Sequence, residues 1–107
     1  MPKELKKTFE KYPFGSQRNK RLDAIVIARY YNPCGDERWL VTEAKRIGHG
    51  DWVLYGYFRI SGKWSWKYTQ LSKLEGFEVP FGMTIERTFN LFERTVNEHT
   101  KMEDYYL

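Results

Sequence analysis

The stretch 52-WVLYGYFRISGKWSWKYTQ-70 decides how this chain folds. Two runs rich in aromatic and β-branched residues flank Ser61-Gly62, the spacing of a β-hairpin with a two-residue turn. That register sets Arg59 opposite Trp64, Tyr57 opposite Trp66 and Tyr55 opposite Tyr68. Side chains alternate across a strand, so Tyr55, Tyr57, Arg59, Trp64, Trp66 and Tyr68 share one face. Leu54, Gly56, Phe58, Ile60, Lys63, Ser65 and Lys67 share the other. Two readings of the aromatic face stay open. It is either a layer of core, since a sheet must bury a face, or a platform on which bases or a partner stack.

Working outward, DAIVIARYY (23–31) is apolar on both faces and predicts a central strand, and RWLVTEAK (38–45) returns antiparallel after the turn formers NPCGDE. Upstream, Pro2 followed by KELKKTFEKY predicts a helix with Leu5, Phe9 and Tyr12 on one stripe. Downstream, LSKLEGF predicts a helical turn or two that stops at Gly76. TIERTFNLF fits either period: Ile85, Phe89, Phe92 and Val96 suit a helix, while Ile85, Arg87, Phe89 and Leu91 suit a strand. From Glu93 to Lys101 the pattern is helical, with MEDYYL fraying beyond it. The expected fold is α+β, one domain over residues 1–107. It has an antiparallel sheet of four to five strands with an N-terminal and a C-terminal helix.

Among 107 residues the net charge is +4, and residues 1–21 hold seven Lys or Arg against Glu4 and Glu10. The positive excess therefore sits in the first fifth of the chain, where Lys7, Lys11, Arg18, Lys20 and Arg21 are the candidate phosphate contacts. The competing reading is a plain solvated charge run. Cys34 is the single cysteine, so no intramolecular disulfide forms, and no Cys/His spacing suits zinc. No metal or cofactor is expected. No run approaches the ~20 apolar residues of a membrane span and no signal peptide is evident, so a cytoplasmic protein without membrane contact is the expectation.

DAIVIARYYNP, RWLVTE, the strand centred on Tyr55-Gly56, the YxxLxxLE of Tyr68 to Glu75, and PFGMTIER occur here in order. Together they resemble a small uncharacterised bacterial family, a domain of unknown function carried largely on conjugative plasmids, integrative elements and phages. The resemblance covers about residues 4–92. The family carries a glycine–leucine–x–isoleucine–glutamate–arginine–aspartate run. Gly82, Met83, Ile85, Glu86 and Arg87 match it, and Thr88 replaces the aspartate. Where the family caps its short helix with serine, this chain has Gln70, so Thr69 or Ser72 has to serve. The family's apolar preference at Tyr55, Tyr57 and Trp66 implies a buried face there.

If that face is mostly core, contact with a partner contracts to the hairpin tip: Tyr57, Arg59, Lys63, Trp64 and Lys67. Glu43, Glu86 and Arg87 read as a structural polar cluster fixing the last element against the sheet. Glu93, Glu98, Glu103 and Asp104 form a mildly acidic C-terminal element, weighed as a phosphate mimic against a solvated helix face. His49, His99 and Cys34 have no activating partner in sequence, and no catalytic residue is nominated. The resemblance implies a mobile-element protein. The expected function is then stoichiometric, non-enzymatic binding to a protein partner, an inhibitor of a host defence nuclease or nucleoprotein complex of anti-CRISPR or anti-restriction type. The alternative is a nucleic-acid-binding accessory of conjugation or transcription. The oligomeric state is left open.

Overall fold

The hairpin forms in the expected register. In the computed structural model, which describes residues 2–88 and 91–106 (side chains to 103), strands β3 (Trp52–Ile60) and β4 (Lys63–Gln70) pair antiparallel. Arg59 lies opposite Trp64, Tyr57 opposite Trp66 and Tyr55 opposite Tyr68. Ser61 (φ 53°) and Gly62 (φ 77°) are both left-handed, as the twist of a two-residue hairpin demands.

Strands β1 (Ala28–Tyr31) and β2 (Arg38–Arg46) precede the hairpin, and β5 (Glu86–Thr88) follows it. The sheet order is β4-β3-β2-β1-β5, antiparallel throughout: a four-strand meander with β5 closing the far edge. Helix α1 (Lys3–Lys11) and helix α3 (Val96–Tyr106) stand at the two ends of the chain, and the short α2 (Leu71–Glu75) follows β4. The fold is α+β, as the pattern predicts.

Several details differ from the sequence reading. Only Ala28–Tyr31 of 23–31 is ladder strand, because residues 24–26 turn to pair with the segment before α3: Val96 N–H donates to Ala24 O and Val26 N–H to Arg94 O. Around Arg87 the chain is strand rather than helix, though Phe89 lies outside the described residues. Helix α3 starts at Val96 because Thr95 and Glu98 cap each other, each backbone N–H donating to the other's side chain. It runs on to Tyr106 instead of fraying at Met102. Neither Thr69 nor Ser72 caps α2. Asp51, 21 residues upstream, accepts from the Ser72 N–H (3.0 Å) and hydroxyl (2.6 Å). These bonds, the Ser72 hydroxyl first, hold the Asp51 carboxyl below its ordinary pKa.

The larger core lies on the face of Leu54 and Phe58, where α1 lays down Leu5 and Phe9 and α2 lays down Leu71 and Leu74. Phe9 meets Trp52 with ring centroids 5.3 Å apart. The aromatic face carries a smaller cluster, in which Ala24, Val26, Leu40 and Val96 are fully covered and Tyr57, Trp64 and Trp66 lean against them. The aromatic residues are thus a half-covered second layer, and the principal core is on the opposite side of the hairpin. Among the described residues no helix is long and apolar enough to cross a membrane.

Candidate functional site

The aromatic face of β3 and β4 is built as a rib. Its residues occupy the pairs where strands exchange no hydrogen bonds and side chains come closest. Tyr57 stacks on Trp64 (5.3 Å, 13°) and leans on Trp66 (4.9 Å), and Tyr55 stacks on Trp66 (5.6 Å, 15°). Guanidinium groups fill the spaces beside the rings: Arg59 at 5.3 Å from Trp64, Arg21 at 5.9 Å from Trp66 and Arg18 at 3.8 Å from Tyr55. The ring faces therefore meet each other and these arginines. Flat stacking of bases, which needs free ring faces, finds little room here. Tyr68, 57% exposed, is the open end of the rib.

A β-bulge organises this same end of the rib. Val41 pairs with Gly56 and Glu43 with Tyr55, so Thr42 is an extra residue in β2. The bulge turns Glu43 onto the aromatic face, where it is fully buried. Its carboxylate accepts from the backbone N–H of Gly15 (2.9 Å) and Gln17 (3.1 Å) and from Arg18 Nη2 (2.8 Å). Burial works to lower the Arg18 pKa, but the hydrogen bond and charge of Glu43 outweigh it and the pKa is raised. Gln17, also buried, donates to Ile25 O and Thr42 O and accepts from Ile25 N–H. The basic loop before β1 is thereby pinned over the sheet.

The candidate residues do not assemble as the sequence suggests. Tyr57 and Trp64 are half-buried in the rib, but Arg59 is only 3% exposed and its Nε donates to Asp36 O, so it is no part of an exposed tip. Lys63 and Lys67 are exposed on the opposite face, Lys67 beside Phe58, Ile60 and Leu74. Glu43, Glu86 and Arg87 are not one cluster. Glu43 holds Arg18, and Glu86 accepts from the Tyr31 hydroxyl (2.7 Å), a bond that heads the causes raising the Tyr31 pKa. Arg87, opposite Tyr30, projects from the other face. Among the basic candidates, Arg18 is bound to Glu43. Lys7 and Lys11 are exposed on α1, over the larger core, Lys20 is exposed in the basic loop, and Arg21 is exposed on the aromatic side. The sheet divides the positive charge between its two faces.

Of the acidic C-terminal residues, Glu103 is buried, bonded to Arg29 Nε (2.7 Å) and Arg38 Nε (3.0 Å), and Glu98 serves the α3 cap. The side chain of Asp104 lies outside the described residues. The Arg29–Glu103–Arg38 bridge joins elements 65 or more residues apart, a separation that no local pattern signals. Cys34 is exposed in its turn. Among the described residues no group of three or more His, Cys, Asp or Glu is placed to hold a metal ion.

The edge of the sheet completes the site. The two-residue turn makes Ile60 and Lys63 a hydrogen-bonded pair, so the backbone groups of Ser65 and Lys67 also point toward β3. Those of Trp64, Trp66 and Tyr68 point away from the sheet. No turn, loop or side-chain hydrogen bond among the described residues engages them. β4 is thus an eight-residue edge strand without a proline, and its outward backbone alternates with exposed lysines.

Compared with known proteins, residues 1–102 match the family described as protein of unknown function (DUF2958). No curated protein and no solved structure matches the chain significantly.

Proposed function

From the premise that this chain belongs to the DUF2958 family, we propose that it acts without catalysis, by occupying the surface of a protein partner through the β4 edge. The observation that carries this reading is the edge itself. Unpaired backbone groups of Trp64, Trp66 and Tyr68 run beside an aromatic rib whose ring faces are already filled. Such an edge accepts an extended segment as a sixth strand, with main-chain hydrogen bonds giving affinity and flanking side chains giving specificity. Lys63 and Lys67 favour a segment that is acidic on their side. A two-fold pairing of two β4 strands centred on Ser65 sets Lys63 against Lys67, which works against self-association.

The partner class follows from the mobile-element resemblance: a host defence nuclease of CRISPR or restriction type, met in the bacterial cytoplasm. Titration of this protein against such purified nucleases is expected to abolish cleavage at about one equivalent. Full cleavage at excess protein overturns the assignment for that nuclease. The double reversal Lys63→Glu, Lys67→Glu is expected to release inhibition at unchanged thermal stability. The division of basic residues between two faces weighs against the nucleic-acid alternative. A mobility shift of labelled DNA or RNA that weakens steeply with salt would restore it.

A further inference from the structure

A second site lies away from the β4 edge. Between α3, β5 and the segment that precedes α3 is a cavity of about 210 Å³, lined by Arg29, Thr88, Leu91, Phe92, Arg94, His99, Met102 and Glu103. Its polar groups are unequally satisfied. Arg29 and Glu103 are bonded to each other, and Arg29 Nη1 also donates to Thr88 Oγ1 at 2.6 Å. His99 is 4% exposed, yet among the described residues its Nε2 has no hydrogen-bond partner. A buried imidazole nitrogen left in this state is costly, and native structures usually supply it with a protein, solvent or ligand partner.

Arg94, half-buried, lines the same cavity. Its Nη1 lies 3.0 Å from the Met102 sulfur and its guanidinium 5.4 Å from the Phe92 ring, and its charge reaches the exposed carboxylate of Glu98. A thioether is a weak acceptor and an aromatic face is no substitute for a carboxylate, so the fork keeps donors for an incoming carboxylate. Leu91, Phe92 and Met102 give the same cavity an apolar wall.

We propose that this cavity binds a small organic carboxylate. Arg94 takes the carboxylate oxygens, His99 Nε2–H donates a further hydrogen bond, and the apolar substituent packs on Leu91, Phe92 and Met102. The guanidinium fork matches a carboxylate in geometry and charge. The apolar wall favours an organic carboxylate over an inorganic oxyanion, whose surface is polar all round. The site is separate from the β4 edge, and its success or failure leaves the partner-binding reading untouched.

The test is a titration of the full chain with sodium benzoate, read by NMR at the His99 ring and the Arg94 Nε–H. Sodium chloride at matched ionic strength and inorganic phosphate serve as the other arms. The expected result is a saturable shift at both residues with benzoate alone. Arg94→Gln is expected to weaken binding about tenfold or more, the effect of losing a charged hydrogen-bond partner. Should that variant fold poorly, magnetisation transfer from the benzoate ring to the Met102 methyl in the unmodified protein gives the same answer. No saturable shift, no transfer to Met102, or an equal response to chloride overturns the proposal. Preferential saturation by phosphate overturns the carboxylate assignment.

Discussion

Arg18 Nη2 lies 2.8 Å from Glu43 Oε1, and the two residues are not equally placed: the carboxylate is wholly buried while the arginine side chain is 37% exposed. The pair fastens the basic loop to the sheet at the bulge. Glu43 also gathers the N–H groups of Gly15 and Gln17, so removing it strands three donors at once. Glu43→Ala is expected to cost about 2–4 kcal/mol, chiefly by leaving the Gly15 and Gln17 N–H groups without their acceptor. Arg18→Ala is expected to cost less, because the two backbone donors still serve the carboxylate. Urea unfolding of both variants checks the order, and a larger loss for Arg18→Ala would contradict it.

Gly56 sits in mid-strand opposite Val41, beside the bulge. A Cβ there would lie 2.0 Å from Leu40 O and 2.8 Å from Val41 Cα, both backbone atoms that no rotamer change can move. Gly56→Ala is expected to force β2 and β3 apart and destabilise by at least the ~3 kcal/mol of a severe overpacking. A melting temperature within a degree or two of the parent's would refute the close approach.

Ser61 holds φ 53° in the hairpin turn, a conformation that disfavours most side chains. Ser61→Asn creates the Asn-Gly pair that such turns prefer. It is expected to stabilise by roughly 0.5–1 kcal/mol, chiefly by relieving the left-handed position. The measurement is a denaturant midpoint at unchanged m-value.

His99 should govern stability in weak acid. Burial first, then the charge of Arg29, holds its pKa below the ordinary histidine value, while Glu103 and Glu98 pull it up and Arg94 adds to the lowering. The unfolded chain therefore binds this proton at a pH where the native chain does not. Stability is full above about pH 6.5 and falls as the pH drops through the histidine range, by at most about 1.4 kcal/mol per pH unit. Asp51 and Glu98, whose pKa values are also lowered, act below the usual carboxylate range and do not mask this window. His99→Gln is expected to remove the slope between pH 6.5 and 5. An unchanged slope would place its origin elsewhere.

The hairpin was legible because everything that sets it is local. Two residues fix the turn, alternation fixes the faces, and the Tyr57–Trp66 pairing follows by counting. The antiparallel order of the meander and the two terminal helices rest on the same short-range patterns. The start of α3 was less plain: the helical pattern runs from Glu93, and the Thr95–Glu98 capping box moves the start to Val96. The candidate site was less legible. Lys63 and Trp64 are neighbours in the chain but lie on opposite faces, so a list of residues near a turn is not a surface.

By itself, then, the sequence determined the period of each element, the register of β3 on β4, and which side chains share a strand face. The tertiary structure alone decided what covers those faces. It put the main core behind Phe58, turned Glu43 inward through one extra residue at Thr42, brought the Arg18 guanidinium over to meet it, and left His99 Nε2 buried with no hydrogen-bond partner among the described residues. The physical reason is range. Turn chemistry and alternation act over a few residues, whereas burial and ion pairing are set by groups 25 to 74 positions apart, which only packing brings together.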